Sequence, residues 1–496
     1  MSGNEKKEFG DYQTPLSFCI KVCEYIKNAV LEYSPEAVVE PTCGTGNFIS
    51  AASTVFDCDK VYGLEINQKY VKEAQKKFPG ANIIWGNIFD LSIHQLCKEE
   101  NVLIIGNPPW ATNSELLYNL PEKTNFKKLR GIDALTGSSN FDICEYIILR
   151  LIDEYKNTDS TLCMLCKTSV ARNVILEISR NEIAHKKIEM LYFDSKKVFG
   201  ISASACILIV QLTSNILLRK NFSCNVKNIE NYELIDTITV HNDVIKTSKV
   251  KIDLEGKCQL LWRQGVKHDC SKVMELELKN GEFMNKNNEK VFIEDTLVFL
   301  LVKSSHFKKP VIFEFSKYVI VTQNKPGQDT SYIKKKLPYT WKYLNDHIDN
   351  FNNRKSIIYK NSPPFSMFGI GDYSFSKYKV GLSGFYKKPL FSLLYSEKPV
   401  MTDDTAYFLS FDNYDTAYCM MLLLNSATIQ DFLLSTAFLD NKRPYTVKLL
   451  SRIDFRKCVC EVSYDEIQQT ESKLQLKKYI TMEKYIELAR LINSNC

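Results

Sequence analysis

The feature that most constrains this chain is an alternation of strand-like and helical segments between residues 16 and 212. Helical spacing over 16–31 is followed by a short apolar strand over 37–39 and a helix over 47–55. Residues 60–64 read as a strand, 68–77 as a helix, and 83–85 and 102–105 as further strands. An apolar-periodic helix over 143–154 precedes a strand over 161–166, and 188–193 with 206–212 read as a closing pair. Strands that alternate with helices must bury both sheet faces, which predicts a mostly parallel sheet covered on each side. The rhythm stops near residue 215, where Asn and Lys become frequent. A chain of 496 residues is too long for one core, so two domains are expected, 1–250 and 251–496. The end, 465–493, is charged and mainly helical in pattern.

Composition excludes several classes. Hydrophobic residues at 45% and charged residues at 25% are the balance of a soluble globular protein. No apolar run approaches the roughly 18 residues of a membrane span, and no secretory signal is visible. The net charge of +6 permits a nucleic-acid partner without demanding one. The 16 cysteines are scattered; the tightest pairs, Cys163/Cys166 and Cys458/Cys460, lack a second pair or nearby histidines to complete a zinc site. Buried free thiols and a reducing, cytoplasmic setting are therefore expected, with no metal.

The first strand runs into VVEPTCGTGNF, residues 38–48. Gly44 and Gly46 let backbone approach a ligand that would collide with Cβ atoms. Alone, this is also what a structural strand-to-helix turn looks like. Glu65, at the end of the next strand, is placed to accept from both hydroxyls of a ribose, with Tyr62 and Ile66 beside it as packing for an adenine ring. The third strand ends at Gly86-Asn87-Ile88-Phe89, where Asn87 can meet the adenine amine and Ile88 or Phe89 can cover its face. The third glycine of a dinucleotide fingerprint is missing, and a glutamate and a proline precede the turn instead. That favours a sulfonium nucleoside over a pyrophosphate.

The fourth strand runs directly into Asn107-Pro108-Pro109-Trp110, the most specific signal in the chain. Two prolines fix the backbone and remove two donors. The Asn107 oxygen and the Pro108 carbonyl can then point into one pocket as acceptors, and Trp110 can stack on a planar substrate. An amino group on a conjugated ring suits such a site. Acceptors on both N–H bonds favour a tetrahedral nitrogen whose lone pair is available for attack, and they bind more strongly as positive charge develops.

At these residues the chain resembles the amino-group DNA methyltransferases of the γ class, the TaqI-like adenine enzymes. The resemblance covers residues 9–212 and includes Tyr12-Gln13-Thr14-Pro15, which matches a YxTP-type element. It implies an α/β fold: a Rossmann-like S-adenosylmethionine-dependent methyltransferase sheet followed by a mixed α+β C-terminal target-recognition domain. It implies S-adenosylmethionine as cofactor, held by Tyr12, Thr14, Glu40, Pro41, Cys43, Gly44, Gly46, Glu65, Ile66, Asn87, Ile88 and Asn107. The family usually has Asp where this chain has Asn87. Asn107, Pro108, Pro109 and Trp110 match its catalytic motif, Phe141 resembles the segment lining the cofactor's adenine, and Phe199 resembles the aromatic that packs against a flipped base. Core packing explains Phe199 equally well.

The second half is expected to read DNA. Residues 351–390 interleave Arg354, Lys355, Lys377, Lys379 and Lys387 with many rings, a pattern suited to phosphates and bases. A twisted β region with solvated lysines is the plainer alternative. Arg263, Lys267 and Arg443 are further candidate contacts, while His268 reads better as a structural histidine. The expected partners are double-stranded DNA and a cognate restriction endonuclease, with the chain a stand-alone monomer in the bacterial cytoplasm, associated with the nucleoid. The target adenine must leave the helix to reach the pocket. An enzyme of the same tetrapeptide class acting on RNA or on a protein glutamine remains the alternative.

Overall fold

A computed structural model of the chain describes residues 13–110, 142–200, 204–215, 221–241, 243–247 and 252–494, the side chain of Ile357 excepted. The chain divides into two compact units, Met1–Lys249 and Val250–Cys496.

Unit 1 begins with α1 (Leu16–Ala29) and then alternates β1 (Ala37–Glu40), α2 (Asn47–Val55), β2 (Val61–Glu65), α3 (Gln68–Lys77), β3 (Asn82–Trp85), α4 (Ile93–Leu96) and β4 (Val102–Gly106). It continues through α5 (Ile143–Tyr155), β5 (Thr161–Lys167), α6 (Thr168–Arg180), β6 (His185–Phe193), α7 (Ser195–Phe199) and β7 (Ala205–Leu212). Every residue of β1 and β4 is buried, as parallel strands covered on both faces must be. The strands β3, β2, β1, β4 and β5 pair in parallel in that order. Strand β7 inserts antiparallel between β5 and β6. This is the mostly parallel sheet that the alternation predicted, in the Rossmann-like arrangement that the resemblance implied.

The sheet does not stop there. Strands β8 (Phe222–Asn228), β9 (Leu234–His241) and β10 (Val244–Thr247) extend it beyond β6 to ten strands. The antiparallel β8–β9–β10 ribbon was illegible in the sequence because it alternates weakly and carries polar residues on much of both faces.

Unit 2 is mixed α+β. A five-stranded sheet orders Arg263–Gln264, Ala406–Phe411, Tyr378–Ser383, Ser392–Tyr395 and Val311–Ile312. Its buried face (Val380, Leu382, Leu393, Leu409) packs against the apolar helix Tyr414–Leu424 and the C-terminal helices through Ile467 and Leu488. A six-stranded sheet builds a second core from Leu276, Leu301, Val319 and Ile320 with Ile333, Leu344, Phe351 and Phe365. Of residues 351–390 only Tyr378–Ser383 is a strand, so the twisted β region is met in that part alone. Residues 351–352 end a helix and 353–377 form turns with two short 3-10 segments; Phe351 is 4% exposed and Phe365 fully buried.

Among the described residues no single helix is long and apolar enough to cross a membrane, and no group of three or more His, Cys, Asp or Glu could hold a metal ion. The described cysteines are free, and Cys163 and Cys166 are buried strand thiols.

Candidate active site

Strand order reverses at β1: the chain runs outward through β2 and β3, then crosses back to place β4 on the other flank. Open α/β sheets bind ligands outside the carboxyl ends of strands at such a reversal. The loops there are 41–46 after β1, 65–67 after β2, 86–89 after β3 and 107–110 after β4, the segments singled out from the sequence.

The turn after β1 is closed by its own hydrogen bonds. The Cys43 amide donates to the Leu64 carbonyl at 2.9 Å, and Gly46 donates to the Cys43 carbonyl at 2.8 Å. Gly44 and Gly46 sit at φ +51° and +83°, left-handed values that side chains resist. Gly46 is also the N-cap of α2, so the turn passes straight into a helix N-terminus. A Cβ on Gly44 would stand 2.7 Å from the Gln13 amide.

Glu65 clamps two of these loops. Its carboxylate accepts the Gly44 amide at 2.8 Å and the Asn67 amide at 2.7 Å. Glu40 is 4% exposed and accepts the Ile49 amide at 3.2 Å. Burial holds its carboxyl well above the ordinary carboxylate range, with the Glu65 charge adding to the effect. Glu40 therefore braces the start of α2 from beneath. Burial likewise pushes the Cys43 thiol up, so it stays a neutral packing group. Thr14 is buried, and its carbonyl accepts from Asn47 Nδ2 at 2.7 Å, which pins the YxTP-type element to α2. Pro41 is buried at the foot of the turn. Tyr12 and Phe141 lie outside the described residues.

Asn87 spends its side-chain oxygen locally, accepting the Phe89 amide at 3.1 Å. The contact expected of it, an oxygen accepting from adenine, competes with this turn, whereas its NH2 faces no such demand. Ile88 is buried and its carbonyl accepts from Arg150 Nη1. Ile66 is exposed at 43%, beside the Glu65 clamp. Tyr62 is a correction: it lies toward the other end of β2, near Lys60, Cys97 and Glu99, away from the site. Two residues were missed. Gln13 accepts the Thr45 amide and hydroxyl at 3.3 and 3.2 Å, over the glycine turn. Trp85, 59% exposed, donates its indole N–H to the Ile66 carbonyl at 2.9 Å. Gln13 sat within a recognised element; Trp85 gave no signal beyond ending a strand.

The tetrapeptide leaves β4 against the first turn, for a Cβ on Gly106 would lie 3.5 Å from Glu40 Cγ and 3.7 Å from Pro41 Cδ. Asn107 and Pro109 are half-buried, while Pro108 and Trp110 are buried. The Trp110 ring meets Phe199 edge-on at 5.6 Å. Phe199 in turn meets Phe193 at 6.0 Å, and Phe193 meets Phe18 at 5.0 Å. The two aromatics singled out for a planar substrate thus share one cluster. Helix α7 fixes Phe199: Asp194 caps it by accepting the Lys196 and Lys197 amides at 2.9 and 3.4 Å, and Gly200 at φ 72° ends it.

The basic residues of unit 2 separate into three kinds. Lys355, Lys377 and Lys387 are exposed. Arg263, Lys267 and Arg443 are part-exposed but already engaged: Arg263 stacks on Tyr373 at 4.4 Å, Lys267 lies 3.6 Å from Asp269, and Arg443 donates to the Asp404 carbonyl at 3.0 Å. Lys379 and Arg354 are corrections. Lys379 is 1% exposed and donates to the Ser376 carbonyl at 2.7 Å, so it offers no charge to a phosphate. Arg354 donates to the carbonyls of Phe351, His268 and Ser366 and stacks on Tyr359 at 3.7 Å; it staples loops together. His268 is a buried structural histidine, as expected.

The residues present fit a nucleoside sulfonium. The glycine turn opens onto a helix N-terminus, a carboxylate stands at the end of β2, and an Asn-Pro-Pro-aromatic turn leaves the strand beside β1, against Glu40 and Pro41.

No protein-family model matches the chain. It is 40% identical over 476 residues to the Type II methyltransferase M.NspV of Nostoc sp. (strain ATCC 29411 / PCC 7524), an alignment covering 90% of this chain and 96% of that protein. The Type II methyltransferase M.CvrRI of Paramecium bursaria Chlorella virus XZ-6E is 24% identical over 174 residues, 34% of this chain and 39% of that one. Among solved structures, the ATP-dependent Type ISP restriction-modification enzyme LlaBIII bound to DNA aligns with 80% of this chain and 33% of its own, at 11% identity and a TM-score of 0.46.

Proposed function

The chain belongs to the Type II methyltransferases, which makes it an S-adenosylmethionine-dependent DNA methyltransferase of the restriction-modification kind, and from that premise we propose that it methylates adenine at N6. The observation that carries this reading is the Asn107–Trp110 turn, set at the reversal of the sheet beside the glycine turn.

Gly44, Gly46, Glu65, Ile66, Asn87 and Ile88 hold the cofactor, with Glu40, Pro41, Cys43 and Thr14 shaping the loops beneath it. Bound S-adenosylmethionine supplies an electrophilic methyl group on a sulfonium. The Asn107 side-chain oxygen and the Pro108 carbonyl accept from the two N–H bonds of the substrate amine. They draw the nitrogen toward tetrahedral geometry and take more of its positive charge as attack proceeds. Trp110 and Phe199 cover the ring of an adenine turned out of the duplex, which offsets part of the few kcal/mol lost in unstacking. Pro109 keeps the turn rigid. Unit 2 reads double-stranded DNA, with Lys355, Lys377 and Lys387 on phosphates. The enzyme acts as a monomer, and a restriction endonuclease is its functional partner.

The test is methyl transfer from labelled cofactor to plasmid DNA, followed by nucleoside analysis. N6-methyladenine is expected. Label in a methylated cytosine would overturn the assignment of the base, and label found only in RNA or protein would overturn the substrate.

A further inference from the structure

Unit 2 contains a pocket of about 710 Å³ that methyl transfer does not use. Three backbone segments cross at its wall. The Val266 amide donates to the Thr402 carbonyl at 2.7 Å, the Gly265 amide to Ala406 at 3.1 Å, and Lys267 and Phe368 exchange a pair of bonds at 2.8 Å. The crossing is so close that a Cβ on Gly265 would stand 2.2 Å from the carbonyl oxygens of Thr402 and Asp403.

The floor is fixed. Glu275, 5% exposed, accepts from Lys303 Nζ at 2.8 and 2.9 Å and pairs with Lys286 at 2.8 Å. His268 accepts the Cys270 amide on Nδ1 at 3.2 Å, which leaves Nε2 as the N–H, 3.8 Å from Glu275. Asp403, 7% exposed, accepts the Thr405 amide at 3.1 Å.

The mouth is different. Lys267 and Asp269 stand 3.6 Å apart, Arg443 and Asp404 3.5 Å apart, and each of the four side chains is about one-third exposed. Side-chain contacts this long and this wet are weak; the firm bond of Arg443, at 3.0 Å, goes to the Asp404 carbonyl, so the Asp404 carboxylate is held only by the long contact. Phe385 and Tyr386 supply an aromatic wall. The four carboxylates of the pocket (Asp269, Glu275, Asp403 and Asp404) rule against a free anion as the occupant.

We propose that this mouth reads a G·C base pair of the target sequence, away from the methylated base; the proposal rests on the reading of unit 2 as the DNA reader. In the major groove guanine presents two adjacent acceptors, N7 and O6, and cytosine one amino donor. Lys267 gives up Asp269 for the guanine acceptors, and Asp404 accepts from the cytosine amine. An A·T pair would set the thymine methyl against charge.

The test uses the full chain. Sequencing of DNA from cells that express it maps the methylated site. The kcat/KM values of the parent, Asp404→Asn and Lys267→Met are then compared on that site and on duplexes carrying single base-pair changes. At one G·C position the variants lose roughly 5- to 150-fold of the parent's discrimination, while discrimination elsewhere and the identity of the methylated base persist. Unchanged discrimination at every G·C position in folded Asp404→Asn, Lys267→Met and Asp269→Asn would overturn the proposal, as would relaxation only at A·T positions. A parent that methylates no DNA would instead sink the functional reading beneath it.

Discussion

At the scale of the residue, the candidate site depends on where a few oxygens are held. Glu65 is held in place by two backbone amides, so its orientation is set before any ribose arrives. In the proposed reaction Asn107 works differently, since its oxygen would matter most when the amine gains charge. Replacing it by Ala removes one of two acceptors; kcat for methyl transfer is expected to fall by roughly 100- to 1000-fold, far more than any loss of cofactor affinity measured by calorimetry. Lys379 shows the reverse case, a charge with no visible task. Burial lowers its pKa to about 7. A lysine depressed in this way stabilises the fold above its unfolded pKa and loses that contribution as pH falls through 7, where the fold must accept a buried charge. Lys379→Met is therefore expected to raise the melting temperature by a few degrees, more at pH 6 than at pH 9, and to leave duplex affinity unchanged in a binding titration.

At the scale of the element, unit 1 was legible because its strands are apolar and its turns are punctuated. Helices α2 and α3 fall where the spacing places them, and β1 to β7 within a few residues. Helix α6 escaped notice: Arg172, Asn173 and Glu177 interrupt its apolar face, and Arg172 and Glu177 are nonetheless buried. The ring-rich stretch 351–390 misled in the opposite direction. A count of rings and lysines carries no facing, and tertiary packing turned Phe351, Phe365 and Lys379 inward. Phe199 stayed ambiguous between core and substrate for the same reason. The capped five-residue α7 holds it half-buried against Trp110, a place from which a ring can serve both. Phe199→Ala is expected to lower kcat/KM on duplex DNA by about tenfold through lost stacking, and to lower it less on DNA whose target base is already unpaired. Equal losses on both substrates, matched by a lowered melting temperature, would mark the ring as core alone.

At the scale of the whole molecule, the chain divides into two units, and a buried histidine belongs to the second. Burial lowers the pKa of His268 to about 4, with Glu275 and Asp269 opposing that shift and Lys303 and Lys286 reinforcing it. A histidine depressed from about 6.5 stabilises unit 2 above that value and loses the contribution as pH falls toward 4, by up to about 3 kcal/mol. Unit 2 is therefore expected to soften first on mild acidification. Denaturation followed by fluorescence should show a transition that moves with pH in the parent and much less in His268→Asn. Unit 1 carries a different consequence. Strands β1 and β4 are direct neighbours, with Ala37 opposite Val102 and Val39 opposite Ile104. The turns that follow these two strands, proposed to grip the amine and to cradle the methyl donor, thus spring from neighbouring rungs of one ladder, about 4.8 Å apart. If unit 2 reads the target as proposed, its address can be rewritten without retuning the reaction, because the strands from which the reacting turns spring are paired by backbone within unit 1.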